Sequence, residues 1–113
     1  MEFSLLEKQA ITKVVLDLAN VDGEVSSEEV KYLELLKEHF HISWEEMIKG
    51  SKLNYSKSLA ILHEMDEAKK SAFALIMTDM IAADGVKDEA EMSVFMTVIR
   101  AVEIKLPDYN EED

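Results

Sequence analysis

Two acidic stretches, DGEVSSEE at residues 22–29 and DGVKDEAE at residues 84–91, each lie between two apolar segments. A shift of the sequence by 62 residues superimposes them, and the match continues into the flanking segments. A supersecondary unit that repeats in this way dictates the architecture of the chain. The sequence therefore predicts one unit, helix, Asp-Gly turn and helix, that is used twice. The matched pairs include Asp17 with Asp79, Asp22 with Asp84, Gly23 with Gly85, Glu29 with Glu91, Leu36 with Val98, Phe40 with Val102 and Ile42 with Ile104.

The first repeat predicts two helices. Apolar residues at helical spacing indicate a helix over residues 4–20, with Ser4 as its N-cap. Ser26 and Glu29 match a capping box, which predicts a second helix over about residues 27–40. We expect the buried side of this second helix to consist of Val30, Leu33, Leu36 (or Leu35) and Phe40.

The segment between the repeats predicts two shorter helices. Ser43 and Glu46 match another capping box, followed by a short apolar helix that we expect to end at Gly50. Ser56 is the predicted N-cap of the next helix, after a polar join at residues 54–58. The apolar residues of these two helices are Trp44, Met47, Ile48, Leu59, Ile61, Leu62 and Met65.

The second repeat predicts the longest helix of the chain and the last one. Asp66 is the predicted N-cap of the long helix, Asp88 and Glu91 cap the last helix, and Pro107 ends it. Four methionines fall on apolar stripes, which favours core packing over a pliable binding surface. They are Met77, Met80, Met92 and Met96.

The fold class follows from these elements. No stretch shows the alternation of a strand, and 113 residues suffice for one hydrophobic core. We predict an all-α fold: a single compact domain of about six helices, made of two related hairpins with a short insert between them. The domain spans residues 1–106, and residues 107–113 form an acidic C-terminal tail.

Composition restricts the partners. The net charge of −12, from 24 acids against 12 lysines and arginines, repels nucleic acids and anionic membranes. The longest apolar stretches are too short to insert into a bilayer, and the N-terminus does not resemble a signal peptide. The chain has no cysteine, no glycine-rich phosphate loop and no catalytic triad pattern. We therefore expect a cytoplasmic protein that is not an enzyme and that binds a protein partner.

The residues that carry the repeat also carry a family resemblance. An apolar helix with an internal acid, then Ala-x-x-Asp-Gly-x-Val and a Glu seven residues after the Asp, resembles the tellurite-resistance protein TerB family. The match runs from Ala19 to Glu29 in the first copy, whereas Lys87 replaces the apolar residue in the second. Over residues 5–106 the resemblance implies an all-helical fold. It also implies a bacterial cytoplasmic protein of stress or metal-ion responses, without established catalysis and with a metal site formed by acids.

Six acids are the candidate metal ligands. Asp17 and Asp79 have apolar neighbours in sequence, so we expect both carboxylates to be buried, where each needs a partner. If the hairpins pack with twofold symmetry, matching acids approach one another, and their oxygens suit Ca²⁺, Mg²⁺ or Mn²⁺. An EF-hand is disfavoured, because Leu18 and Met80 fall on its first ligand position. The candidates are Asp17, Asp22, Glu29, Asp79, Asp84 and Glu91.

The same acids have a structural interpretation. A carboxylate near a helix end accepts backbone N–H groups, and Glu29 and Glu91 are then members of capping boxes. Two functions therefore stay open. The first is a metal-responsive accessory domain, and the second is a metal-independent helical adaptor in which these acids only fix turns and helix ends.

Overall fold

The computed structural model describes residues 2–19, 27–83 and 89–105. These ranges contain six α-helices and no strand, so the predicted fold class is confirmed. Both Asp-Gly turns, the caps Ser26 and Asp88, and the tail at residues 107–113 lie outside the described residues. The helices are α1 (Leu5–Ala19), α2 (Ser27–Phe40), α3 (Trp44–Ser51), α4 (Tyr55–His63), α5 (Glu67–Ala83) and α6 (Glu89–Val102). Among them, none has both the length and the apolar character that a bilayer crossing requires.

The first helices of the two repeats begin in the same way. At α1, the Glu7 N–H donates to Ser4 Oγ (3.1 Å), and the Ser4 N–H donates to Glu7 Oε1 (2.8 Å). At α5, the Lys69 N–H donates to Asp66 Oδ1 (2.8 Å). Ser4 and Asp66 are 62 positions apart, so the repeat that the sequence predicts holds at both N-caps.

An ion pair joins equivalent residues of the two repeats. Lys69 Nζ lies 2.9 Å from Glu7 Oε1, and the two side chains are only 20% and 17% exposed. A residue that contacts its own repeat equivalent must lie near an approximate twofold axis. The helix contacts agree with this axis. It relates α1 to α5 and α2 to α6, so a contact of α1 with α6 predicts a contact of α5 with α2, and both are present.

The hydrophobic core lies around α1. This helix contacts α2, α3, α4 and α6, and its inner side is completely buried at Ala10, Ile11, Val14 and Val15. An aromatic series extends the core from α2 to α5, since the ring of Phe40 lies 6.4 Å from that of Phe73. The radius of gyration is 13.5 Å, and one compact domain of this length has a value of about 13 Å.

Some predicted core positions are wrong. Met92 and Met96 are exposed, although the sequence places them in the core. They lie at the edge of an apolar stripe that is wider than the contact area of α6, and Phe95, Val98 and Ile99 occupy its centre. The completely buried Tyr32 of α2, conversely, is absent from the predicted stripe.

Two helix-end predictions in the insert are also wrong. The N-cap of α4 is Asn54 rather than Ser56, because the Lys57 N–H donates to Asn54 Oδ1 (3.0 Å). Gly50 does not end α3, which continues to Ser51. Its role is steric, since a Cβ at Gly50 would lie 2.6 Å from the Gln9 carbonyl oxygen of α1. The glycine therefore allows α3 to approach the backbone of α1 closely.

Candidate functional site

Asp17 is near the end of α1 and is not buried as predicted. Its side chain is 36% exposed, and its Oδ1 lies 3.2 Å from Lys13 Nζ, one helical turn earlier. An i,i+4 pair of this kind stabilises a helix modestly. Within the described residues, the partner that the structure gives to Asp17 is thus a lysine on its own helix.

The Asp17 carboxylate also faces α4. Burial raises the pKa of the Tyr55 hydroxyl above its ordinary value of 10.0, and the negative charge of Asp17 raises it further. Both effects disfavour the phenolate. The Tyr55 hydroxyl consequently stays neutral to a higher pH than a free phenol.

Asp79 occupies the matching position on α5 and is exposed, so its predicted burial is wrong as well. The buried side of α5 contains Phe73, Met77 and Ile81. Asp79 lies one turn after the exposed Leu75 and on the same side of the helix, opposite this buried side. The apolar residues next to Asp79 in the sequence wrongly indicated that it is buried, because they lie on a different face of the helix.

The other four candidates belong to the two Asp-Gly stretches. Asp22 and Asp84 lie outside the described residues, and Glu29 and Glu91 lie in α2 and α6 with side chains that are not described. Among the side chains that the structure does describe, no three histidine, aspartate or glutamate residues are grouped to hold a metal ion.

The Glu46 carboxylate has a structural role that the sequence did not indicate. Its backbone N–H donates to Ser43 Oγ (3.3 Å), as the predicted capping box requires. Its carboxylate, however, accepts from Gln9 Nε2 of α1 (2.6 Å) and is nearly buried. Glu46 therefore fixes the insert on α1.

Two histidines line one shallow pocket. His39 and His41 are two residues apart, which on a continuous helix points them to different faces. The helix ends at Phe40, and both side chains border the same pocket of about 420 Å³, together with Glu2, Phe3, Lys8 and Phe40. Lys8 Nζ donates to the His41 carbonyl oxygen (3.1 Å), so this ammonium group is hydrogen-bonded to the backbone.

An exposed apolar pair lies on α3, and the sequence did not identify it as exposed. Trp44 and Ile48 are one turn apart and are 51% and 56% exposed, whereas Met47 between them is buried. We call this pair the α3 surface. The Lys37 ammonium lies 5.4 Å from the centroid of the Trp44 ring, within range of a cation–π contact. In the sequence Trp44, Met47 and Ile48 form one apolar stripe, and periodicity does not show how much of such a stripe another element covers.

Comparisons with known proteins extend the fold assignment. No protein-family model matches the chain, and no curated protein sequence matches it. The chain is similar to the crystal structure of PG1108, a protein of unknown function from Porphyromonas gingivalis. The TM-score is 0.78 at 21% sequence identity, over 95% of this chain and 90% of that chain. A similarity at this identity supports the fold and carries no function.

Proposed function

We propose that the chain is a non-enzymatic helical interaction module, which acts in the cytoplasm as an accessory protein of a bacterial stress or metal-ion response. Its resemblance to the TerB family supports this class of function. The observation that carries the proposal is the α3 surface, on which a tryptophan and an isoleucine are half exposed on a single helical turn.

Tryptophan is enriched at the centres of protein interfaces, where its large ring loses much apolar surface to a partner. Single exposed apolar residues are common on any protein and need no explanation. Here two large ones lie together, and Lys37, Glu45 and Lys49 surround them with charge. An apolar centre with a charged rim is the arrangement of a protein-binding surface.

We infer the metal-independent form of this function from the two candidate acids whose side chains the structure describes. Lys13 neutralises the Asp17 carboxylate within its own helix, and Asp79 extends into solvent. Neither side chain depends on a cation for its charge balance. In this form of the proposal, the acids around the turns serve as caps and as a source of solubility.

Site-specific photo-crosslinking tests the proposal. A photoreactive amino acid replaces Ile48 in one variant and Glu64 in a control variant, because the Glu64 side chain is 84% exposed on a polar part of the surface. After irradiation of living cells, we expect a discrete crosslinked product from position 48 and none of the same mass from position 64. Identical products from both positions, or none from position 48, would contradict an interaction through the α3 surface.

Divalent-cation binding is the second candidate function. The repeat alignment supports it, because it places Asp22 and Glu29 at positions equivalent to Asp84 and Glu91. An ion that binds only the native state raises the melting temperature by mass action. The test compares melts of the wild type and Asp79→Asn in chelator with melts in Ca²⁺, Mg²⁺ or Mn²⁺. A rise with one ion that shrinks in Asp79→Asn supports the cation site, and unchanged melts reject it.

A further inference from the structure

The end of α2 brings two histidines to one pocket. His39 lies in the last turn of the helix, and His41 follows its last residue, Phe40. Side chains two positions apart on a continuous helix point to different faces. His41 instead has a left-handed backbone conformation, with φ of 57°, so the chain leaves the helical path at the second histidine. Both side chains are exposed and border the same pocket of about 420 Å³.

Two imidazoles beside one pocket are suitable ligands for a transition-metal ion. Imidazole nitrogen binds Zn²⁺, Cu²⁺ and Ni²⁺, whereas Ca²⁺ and Mg²⁺ prefer oxygen. The Glu2 carboxylate borders the pocket, and the C-terminal end of α2 contributes partial negative charge. Lys8 opposes a cation, but its ammonium group is hydrogen-bonded to the His41 carbonyl oxygen (3.1 Å). The pocket therefore combines nitrogen ligands with two sources of negative charge.

The protein supplies two ligands at this place. Within the part of the chain that the structure describes, no three histidine, aspartate or glutamate side chains are grouped to hold an ion. Glu2 therefore contributes its charge and is not counted as a third ligand. Because Zn²⁺ in proteins takes four ligands, water fills the remaining positions. Such a site binds an exchangeable ion with modest affinity and does not hold a permanent structural one.

The equivalent location in the second repeat has a different arrangement. His63 Nδ1 lies 3.6 Å from Glu64 Oε2, and its Nε2 lies 3.5 Å from Glu103 Oε1, so both ring nitrogens face carboxylates. The chain has three histidines, and the other two border the pocket of the first repeat. His63 is therefore a matched control, an imidazole beside acids without a second imidazole. The repeat equivalents of the pocket residues are Glu64 for Glu2, Ala101 for His39 and Glu103 for His41.

We propose that His39 and His41 bind a transition-metal dication, Zn²⁺ or Cu²⁺, through their imidazole nitrogens in the pocket at the end of α2. This site is separate from the α3 surface and from the acids of the Asp-Gly repeats, which suit Ca²⁺, Mg²⁺ or Mn²⁺ through oxygen. The ion joins the last turn of α2 to the residue that follows the helix. The general order of metal affinities predicts tighter binding of Cu²⁺ than of Zn²⁺.

Isothermal titration calorimetry of the untagged protein with Zn²⁺ tests the inference, and electron paramagnetic resonance with Cu²⁺ identifies the ligand atoms. His39→Gln and His41→Asn each remove one imidazole. Glutamine suits the helix, and asparagine tolerates the left-handed conformation at position 41. His63→Gln is the control, because it removes the third histidine and leaves every acid in place. Circular dichroism verifies that all three variants fold.

We expect the wild type to bind Zn²⁺ and to show nitrogen hyperfine coupling with Cu²⁺. His39→Gln and His41→Asn should each weaken Zn²⁺ binding by at least about tenfold, and His63→Gln by less than about twofold. Absence of Zn²⁺ binding by the wild type, unchanged affinity in either pocket variant, or an equal loss in His63→Gln overturns the site. Crosslinking at position 48 and the melts of Asp79→Asn report on other residues, so the three proposals fail separately.

Discussion

His41 and Glu103 lie 62 residues apart and share a left-handed backbone conformation, with φ of 57° and 61°. Within the described residues they are the two non-glycine positions with positive φ. Each follows the last residue of its helix, α2 or α6, and each precedes a buried isoleucine, Ile42 or Ile104. The two repeats therefore end with the same backbone geometry as well as beginning with equivalent caps.

The left-handed conformation predicts that His41→Gly stabilises the protein. A side chain in this conformation costs about 1–2 kcal/mol, and glycine removes that cost. Glycine also increases the conformational entropy of the unfolded chain, which offsets part of the stabilisation. We expect a net stabilisation of about 0.5–1 kcal/mol in urea unfolding. The control is Glu38→Gly within α2, which should destabilise by about 1 kcal/mol. Equal destabilisation by both variants would contradict the strain at His41.

The ion pair near the twofold axis should couple Glu7 and Lys69. A double-mutant cycle with Glu7→Gln and Lys69→Met should give about 1–2 kcal/mol, between the values for exposed and fully buried pairs. Glutamine keeps an acceptor oxygen for the Ser4 N–H, so the cycle isolates the charge interaction. The same cycle on Lys13 and Asp17 serves as control and should give only about 0.3–0.5 kcal/mol. A larger coupling in the control would show that the axis pair is not special.

Close packing predicts that Gly50→Ala destabilises the protein. Helix propensity alone favours alanine by about 1 kcal/mol, but the new Cβ would lie 2.6 Å from the Gln9 carbonyl oxygen and 2.9 Å from Thr12 Cβ. We expect a net loss of about 1–3 kcal/mol as α3 is displaced from α1. Ser51→Ala, at the exposed neighbouring position, should change stability by less than about 0.5 kcal/mol. Thermal melts of both variants decide whether the close approach is required.

The raised pKa of Tyr55 predicts a loss of stability at alkaline pH. The unfolded state releases the phenolic proton at lower pH than the native state does. The contribution of Tyr55 to the free energy of unfolding is therefore complete below the ordinary pKa of 10.0 and falls as the pH rises beyond it. Urea midpoints between about pH 8 and pH 11 should therefore fall less in Tyr55→Phe than in the wild type. Asp17→Asn removes the smaller, electrostatic cause of the pKa shift. The decrease of its urea midpoint with pH should therefore be intermediate between those of the wild type and Tyr55→Phe. Parallel curves for wild type and Tyr55→Phe would refute the linkage.

The sequence was sufficient for the helices because helical periodicity and caps are local signals. The bounds of α2 match the prediction at both ends, and Ser4, Ser43 and Asp66 cap as predicted. Ser56 was the wrong cap because Asn54, two residues earlier, offers an equally good acceptor. A local pattern does not choose between two adjacent capping residues.

The candidate site was harder to predict because burial depends on which helix covers which face. Asp17 and Asp79 have the same register and similar neighbours in sequence, but only Asp17 lies beside the insert. The exposure of Leu75 has the same origin, since periodicity marks an apolar residue without showing whether another element packs on it. The asymmetry between the two repeats is a tertiary property.

Thiol accessibility tests this asymmetry most directly, because the chain has no cysteine and single-cysteine variants report one position each. Equivalent pairs are compared: Gln9→Cys with Ser71→Cys, and Lys13→Cys with Leu75→Cys. In native buffer we expect the α5 variants to react with a neutral thiol reagent several-fold faster than their α1 equivalents, and in urea all four should react alike. Equal native rates within each pair would contradict the account, because the insert would then not distinguish the two faces.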